Sequence, residues 1–184
     1  MVRSVCVYLS SSDGLPTYAR AIRELANELV RRDLTLVYGG AHRGLMGVLA
    51  DAQLAAGGRA IGVIPQALVN LEVAHHGLTE LHVVETMHQR KAMMFEKADA
   101  FVVGPGGFGT FEEAFEVLTG MQLGYHQKPL VFLDLDGFWS LMQQFLDHAV
   151  ASGVLQARTR TLFRTASNAA LAVDILQAID PQAA

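Results

Sequence analysis

The chain has 184 residues, 51% of them hydrophobic and 17% charged, with a formal net charge of −4. Those values suit a single globular domain over residues 1–184 with a sizeable core, and they exclude a chain disordered as a whole. The net negative charge and the lack of any basic block argue against nucleic acid as a partner. The one cysteine, Cys6, rules out a disulfide framework or cysteine metal site and is expected to pack in the core.

In chain order, a first strand is expected at Val5–Leu9. The opening MVRSVCVYLSSSDG lacks the long apolar region and small-residue cleavage site of a secretory signal. No apolar stretch reaches the ~18 residues of a membrane span, so a cytoplasmic protein with no membrane partner is expected. YARAIRELANELVRR then reads as a helix with Ala19, Ile22, Leu25, Ala26 and Leu29 on one face. A strand at Leu34–Tyr38 precedes a helix in GLMGVLADAQLAAGG, stopped by Gly57 and Gly58. Strands at Ala60–Ile64 and Leu81–Val84 flank an irregular loop at Asn70–Thr79. A helix in MHQRKAMMFEKA leads to a strand at Ala100–Val103, and a helix in TFEEAFEVLTGMQLG leads to a strand at Leu130–Leu133. A helix in FWSLMQQFLDHAVASG, a weaker strand at Thr161–Phe163 and a helix at Asn168–Ala178 complete the chain. Short Val/Leu/Ile-rich strands alternating with amphipathic helices predict an α/β fold: an open parallel sheet with helices on both faces.

Open sheets of this kind bind ligands at the carboxyl ends of their strands, and the unusual residues cluster there. Ser10, Ser11 and Ser12 follow the first strand, Gly39 and Gly40 the second, and Gln66 and the Glu72 loop the third. Met87, His88, Arg90 and Lys91 follow the fourth, and Gly104, Gly106, Gly107 and Gly109 the fifth. Glycines let backbone N–H groups approach a ligand, and a helix start adds partial positive charge, so the last loop is read as a phosphate site with Thr110 as helix cap or phosphate contact. No G-K-[ST] follows, which excludes a P-loop. Gly104, Gly106 and Gly109 also spell G-x-G-x-x-G, with Asp134 or Asp136 beyond the next strand, so a nicotinamide reading stays open.

Glu112 and Glu113 are placed in the first turn of the following helix. Adjacent helical positions point about 100° apart, so one of them faces the cleft, and spacing does not say which. Arg90 and Lys91 near a helix start are unfavourable against its dipole unless an anion is bound. His88 and the adjacent pair His75–His76 have no metal-chelating spacing, and no metal or cofactor is expected. Ser10–Ser12 lack a nucleophile elbow and are expected to act as hydrogen-bonding residues.

PGGFGTFEE resembles the P-G-G-x-G-T-x-x-E signature of the LONELY GUY proteins, the cytokinin riboside 5′-monophosphate phosphoribohydrolases. YGGAHRGLMG and MHQRKAMM resemble that family's other motifs, and the likeness runs from about Val5 to Val154. The resemblance implies a Rossmann-like subunit that forms a homodimer. It also implies hydrolysis of the N-glycosidic bond of AMP or an N6-modified AMP to free base and ribose 5-phosphate. Glu113 and Arg90 become the catalytic pair. Phosphate falls to Gly106, Gly107, Gly109 and Thr110, and Lys91, Glu72 and Thr119 become further substrate contacts; Met87, Ser11, Gly39 and Gly40 are expected to join them from their places after the strands. Relatives have often been called lysine decarboxylases, but none of the three lysines here, Lys91, Lys97 and Lys128, has a recognisable cofactor context. The chain departs from the pattern at Leu9 and Ser10, where the family often has Cys-Gly, at Ala41 in place of a third glycine, and at Gly120, where many members carry an aromatic residue. A non-catalytic nucleotide carrier on the same fold is the alternative, because fold alone does not set function.

Overall fold

The computed structural model describes residues 1–71 and 73–179. Seven parallel strands form one sheet: β1 (Ser4–Tyr8), β2 (Thr35–Tyr38), β3 (Ala60–Pro65), β4 (Glu80–Val84), β5 (Ala100–Val103), β6 (Leu130–Leu133) and β7 (Arg164–Ala166). Their helices are α1 (Pro16–Arg31), α2 (Gly44–Ala55), the short α3 (Gln66–Val69), α4 (Met87–Lys97), α5 (Phe108–Gln122), α6 (Ser140–Ala151) and α7 (Ala169–Ala178). None of the described helices is long and apolar enough to cross a membrane.

The side-chain period of two along buried strands splits the core into two halves. Val5 and Val7 of β1 pack with Ile22, Leu25 and Leu29 of α1, Leu49 of α2 and Val173 of α7. Cys6 and Tyr8 face the other way, among Met94 of α4, Ala114 and Val117 of α5 and Leu146 of α6. Burial pushes the Cys6 thiol well above its ordinary range, as suits a packing residue.

The strand order is β4-β3-β2-β1-β5-β6-β7. The direction of winding reverses between β1 and β5, and a crevice opens at such a switch point beyond the carboxyl ends of the strands. β1 and β5 pair in register, Tyr8 opposite Val103. Just past them the Gly104 N–H donates to the Tyr8 carbonyl at 2.8 Å, and the Ser10 N–H donates to the Pro105 carbonyl at 3.0 Å. The serine loop and the glycine loop are thereby joined side by side.

The last strand lies later than its apolar signal. Residues Ala157–Thr161 form a 3-10 turn in which the Thr159 and Thr161 hydroxyls donate to the Gln156 and Arg158 carbonyls. The strand is the polar Arg164–Ala166, paired with Val131–Leu133. An edge strand of three residues needs little apolar side chain of its own, and Phe163 supplies the anchor by packing on Phe132, ring centroids 5.1 Å apart.

Gly44 opens α2 with a φ of +57°, and a Cβ there would sit 2.3 Å from the Ser11 carbonyl carbon. Gly44→Ala is expected to destabilise the fold by about 1–3 kcal/mol through backbone strain and collision with the serine loop. A lower urea midpoint at unchanged m-value would report it.

Candidate active site at the sheet switch point

Arg90 lies in the second turn of α4, a helix started by a capping box: the Thr86 hydroxyl accepts from the Gln89 N–H, and the Gln89 side chain accepts from the Thr86 N–H. Its guanidinium reaches back to the sheet. Nε donates to the Val63 carbonyl at 3.1 Å and Nη2 to the Gly39 carbonyl at 3.2 Å. A Cβ on Gly39 would lie 1.8 Å from that Nη2, so only glycine leaves room for the arginine. Nη1 is 3.7 Å from Oε1 of Glu113 on α5, and both side chains are buried.

α5 begins two residues earlier than its sequence pattern implies. Gly107 is the N-cap, and Thr110 is the third helical residue, buried, and not the cap. Glu112 and Glu113 accordingly lie in the second turn and not the first. The earliest intrahelical bond of α5 runs from the Phe111 N–H to the Gly107 carbonyl, and the amides of Gly107, Gly109 and Thr110 find no acceptor among the described residues. Gly107, Gly109, Thr110, Glu113, Arg90, Gly39 and Ser11 all line one cleft of about 440 Å³. Its floor is a helix N-terminus whose donors have no acceptor among the described residues, and its wall carries a buried carboxyl and guanidinium.

Gly106 does not line that cleft. A Cβ there would lie 2.1 Å from the Thr110 hydroxyl, so this glycine makes room for the threonine. Gly40, at φ +74°, also stays out of the cleft and gives its carbonyl to the His75 N–H. Met87 is half-exposed at the start of α4, its sulfur 3.8 Å from Arg90 Nη1. Glu72 lies outside the described residues. Lys91 and Thr119 line a second, larger cavity of about 740 Å³ between α4 and α5. There Lys91 is paired with Glu112 and, at 3.1 Å, with Glu116. Burial opposes its charge, yet the two carboxylates hold the amine above its ordinary range. Gly120 borders the same cavity, where a Cβ would meet the His126 ring at 2.9 Å, so the glycine admits an imidazole.

Arg43, absent from the expectations above, lines the cleft just before α2 and makes no ion pair among the described residues. Its signal was available: a cation between a strand end and a helix start. The acids that kept a nicotinamide reading open are otherwise engaged. Asp134 accepts from the Trp139 N–H at 2.7 Å, and Asp136 from the Thr17 hydroxyl at 2.9 Å.

Residues 46–176 match a family model described as "Possible lysine decarboxylase". A cytokinin riboside 5′-monophosphate phosphoribohydrolase of Arabidopsis thaliana is 42% identical over 181 residues, which cover 98% of this chain and 85% of that protein. A protein of the same name from Rhodococcoides fascians is 47% identical over 161 residues, covering 86% of this chain and 81% of its own. The chain belongs to the LONELY GUY family. Among solved structures, a molybdenum cofactor carrier protein of Chlamydomonas reinhardtii superposes with a TM-score of 0.72 at 18% identity, covering 96% of this chain and 97% of that one. At that identity the likeness shows the fold alone.

In this LONELY GUY protein the carboxyl of Glu113 is pushed up to about 7, mainly by burial; Arg90 pulls it back and Glu112 adds to the rise. Between its ordinary value of 4.5 and about 7 the folded chain holds a proton that the unfolded chain releases. The folded state binds more protons in that window, so stability falls as pH rises through it. Melting curves of the ligand-free protein should show that slope, and Glu113→Gln should flatten it.

Proposed function

We propose that this chain is a cytoplasmic hydrolase of nucleoside 5′-monophosphates that cleaves the N-glycosidic bond of AMP or an N6-modified AMP, releasing free base and ribose 5-phosphate. One observation carries the reading: a buried carboxyl paired with a buried guanidinium faces the same cleft as the amides at the start of α5 that have no acceptor among the described residues. The relatives at 42% and 47% identity bear the name of that activity.

The 5′-phosphate sits on the N–H groups of Gly107, Gly109 and Thr110, with the partial positive charge of α5 behind them and Arg43 at the rim. Ribose then lies over Glu113. As the C1′–N9 bond breaks, its electron pair leaves with the purine and C1′ gains oxocarbenium character, which the Glu113 carboxylate stabilises. Water oxygen bonds C1′. Its proton passes to Glu113, which returns to the carboxylate as a proton moves by way of solvent to the nitrogen of the departing base. Arg90, anchored on two carbonyls, keeps Glu113 in place and lowers the cost of its ionised form. A base must be ionised to act, so kcat/KM is expected to climb with pH and level off above about 7.

Incubation with AMP and with isopentenyladenosine monophosphate, followed by chromatography for free base, tests the reading. Free base from either supports hydrolysis, whereas tight binding without release favours the carrier alternative. Glu113→Gln should retain AMP binding and lose ~10²-fold or more in rate; full activity in that variant removes Glu113 from the mechanism.

The subunit is further proposed to form a homodimer through the groove between α4 and α5. Leu123 and Tyr125 at its border are 57% and 80% exposed, more apolar surface than a lone subunit gains from showing to water. Light scattering should give a dimer mass for the wild type and a monomer mass for a Leu123→Asp, Tyr125→Ser double variant.

A further inference from the structure

We infer that Asp51 and His75 form a positioning clamp that holds the Arg90 side of the cleft in shape, an inference that rests on the function proposed for that cleft. Neither residue lines the cleft. His75 is buried, with Nε2 2.9 Å from Oδ1 of Asp51 on α2 and Nδ1 3.1 Å from the Gly77 nitrogen. A backbone N–H can only donate, so Nδ1 is the acceptor and Nε2 carries the proton given to Asp51. One neutral tautomer therefore ties α2 to the loop Val73–Gly77.

The loop's backbone is tied in turn to the segment between β2 and α2. The His75 N–H donates to the Gly40 carbonyl at 2.8 Å, and the His42 N–H donates to the Val73 carbonyl at 2.9 Å. Ala41 and Ala74 form an antiparallel bridge between those bonds. Gly40, at φ +74°, has a conformation that side-chain-bearing residues rarely hold. Its neighbour Gly39 supplies the carbonyl that receives Arg90 Nη2. Bonded steps thus run from Asp51 through His75, Gly40 and Gly39 to Arg90. Gly39, Ala41 and Val73, all in the clamped segments, line the cleft.

The Asp51 carboxylate is 74% exposed, and a pair so open to water adds little stability. What it fixes is the ring's tautomer and orientation, and with them the Gly77 bond. Loss of the clamp should therefore appear in ligand affinity and local opening more than in melting temperature.

The test compares Asp51→Ala, Asp51→Asn and His75→Ala by AMP calorimetry, steady-state hydrolysis and amide hydrogen exchange. Asp51→Ala and His75→Ala should weaken AMP binding and raise KM about tenfold, with a smaller change in kcat, because the walls of the site lose their register. The amide oxygen of Asp51→Asn can still accept from Nε2, so this variant should stay within about twofold of wild type. Exchange over Val73–Gly77 should quicken in Asp51→Ala and not in Asp51→Asn. Should His75→Ala fail to fold, the two Asp51 variants decide. Unchanged AMP affinity, KM and loop exchange in Asp51→Ala would overturn the clamp. A wild type that binds AMP without releasing base would overturn the hydrolytic reading alone, since affinity still tests the clamp. A wild type that binds no AMP would overturn the reading of the cleft, and loop exchange, which needs no ligand, would then decide the clamp.

Discussion

Arg90 hangs from two backbone carbonyls, one in β3 and one just past β2. Each bond fixes a different nitrogen of one rigid guanidinium, so the third is left at a defined place, 3.7 Å from Glu113. A buried arginine without such partners would cost more than the fold could recover. With them it becomes the fixed charge around which the cleft is arranged. Gly39 is required because a side chain would occupy the same space, and Glu113 can remain buried because the guanidinium offsets part of its desolvation.

The two dipeptides Arg90-Lys91 and Glu112-Glu113 show how a helix divides neighbouring charges. Residues one apart on a helix diverge by about 100°, and here both pairs diverge in matching directions. Arg90 meets Glu113 at the cleft, while Lys91 meets Glu112 and Glu116 on the side of the second cavity. The partners also differ in environment. Glu113 is buried and titrates near neutrality, whereas the side chains of Glu112 and Glu116 are each 55% exposed. One doublet of acids thereby yields a carboxyl able to exchange a proton near pH 7 and another that anchors a lysine.

The glycines divide their tasks in a comparable way. Gly107 and Gly109 border the cleft with amides that have no acceptor among the described residues, while Gly106 accommodates Thr110 and Gly120 accommodates His126. A motif rich in glycine is thus partly a ligand surface and partly a set of vacancies for neighbouring side chains. Sequence cannot distinguish the two, because the neighbour that needs the space is often supplied by another element.

The chain's local chemistry determined much on its own. Buried strands such as Ala100–Val103 and Leu130–Leu133 were legible to the residue, since a continuous apolar run with an aspartate at one end and a glycine or proline at the other has few other uses. The parallel α/β class followed from alternation, and the placement of Arg90 and the glycine loop at strand ends followed from the same reading. The start of α5 at Phe108 was not legible, because Thr110 is a better cap by type, and burial of its side chain overrode that preference. Strand β7 escaped because an edge strand carries little apolar signal. The strand order, the pairing of Glu113 with Arg90, the withdrawal of Lys91 to a second cavity and the bond between His75 and Gly40 depend on contacts between residues far apart in the chain. Such contacts leave no periodic trace in a single sequence, so only the packed tertiary structure could decide them.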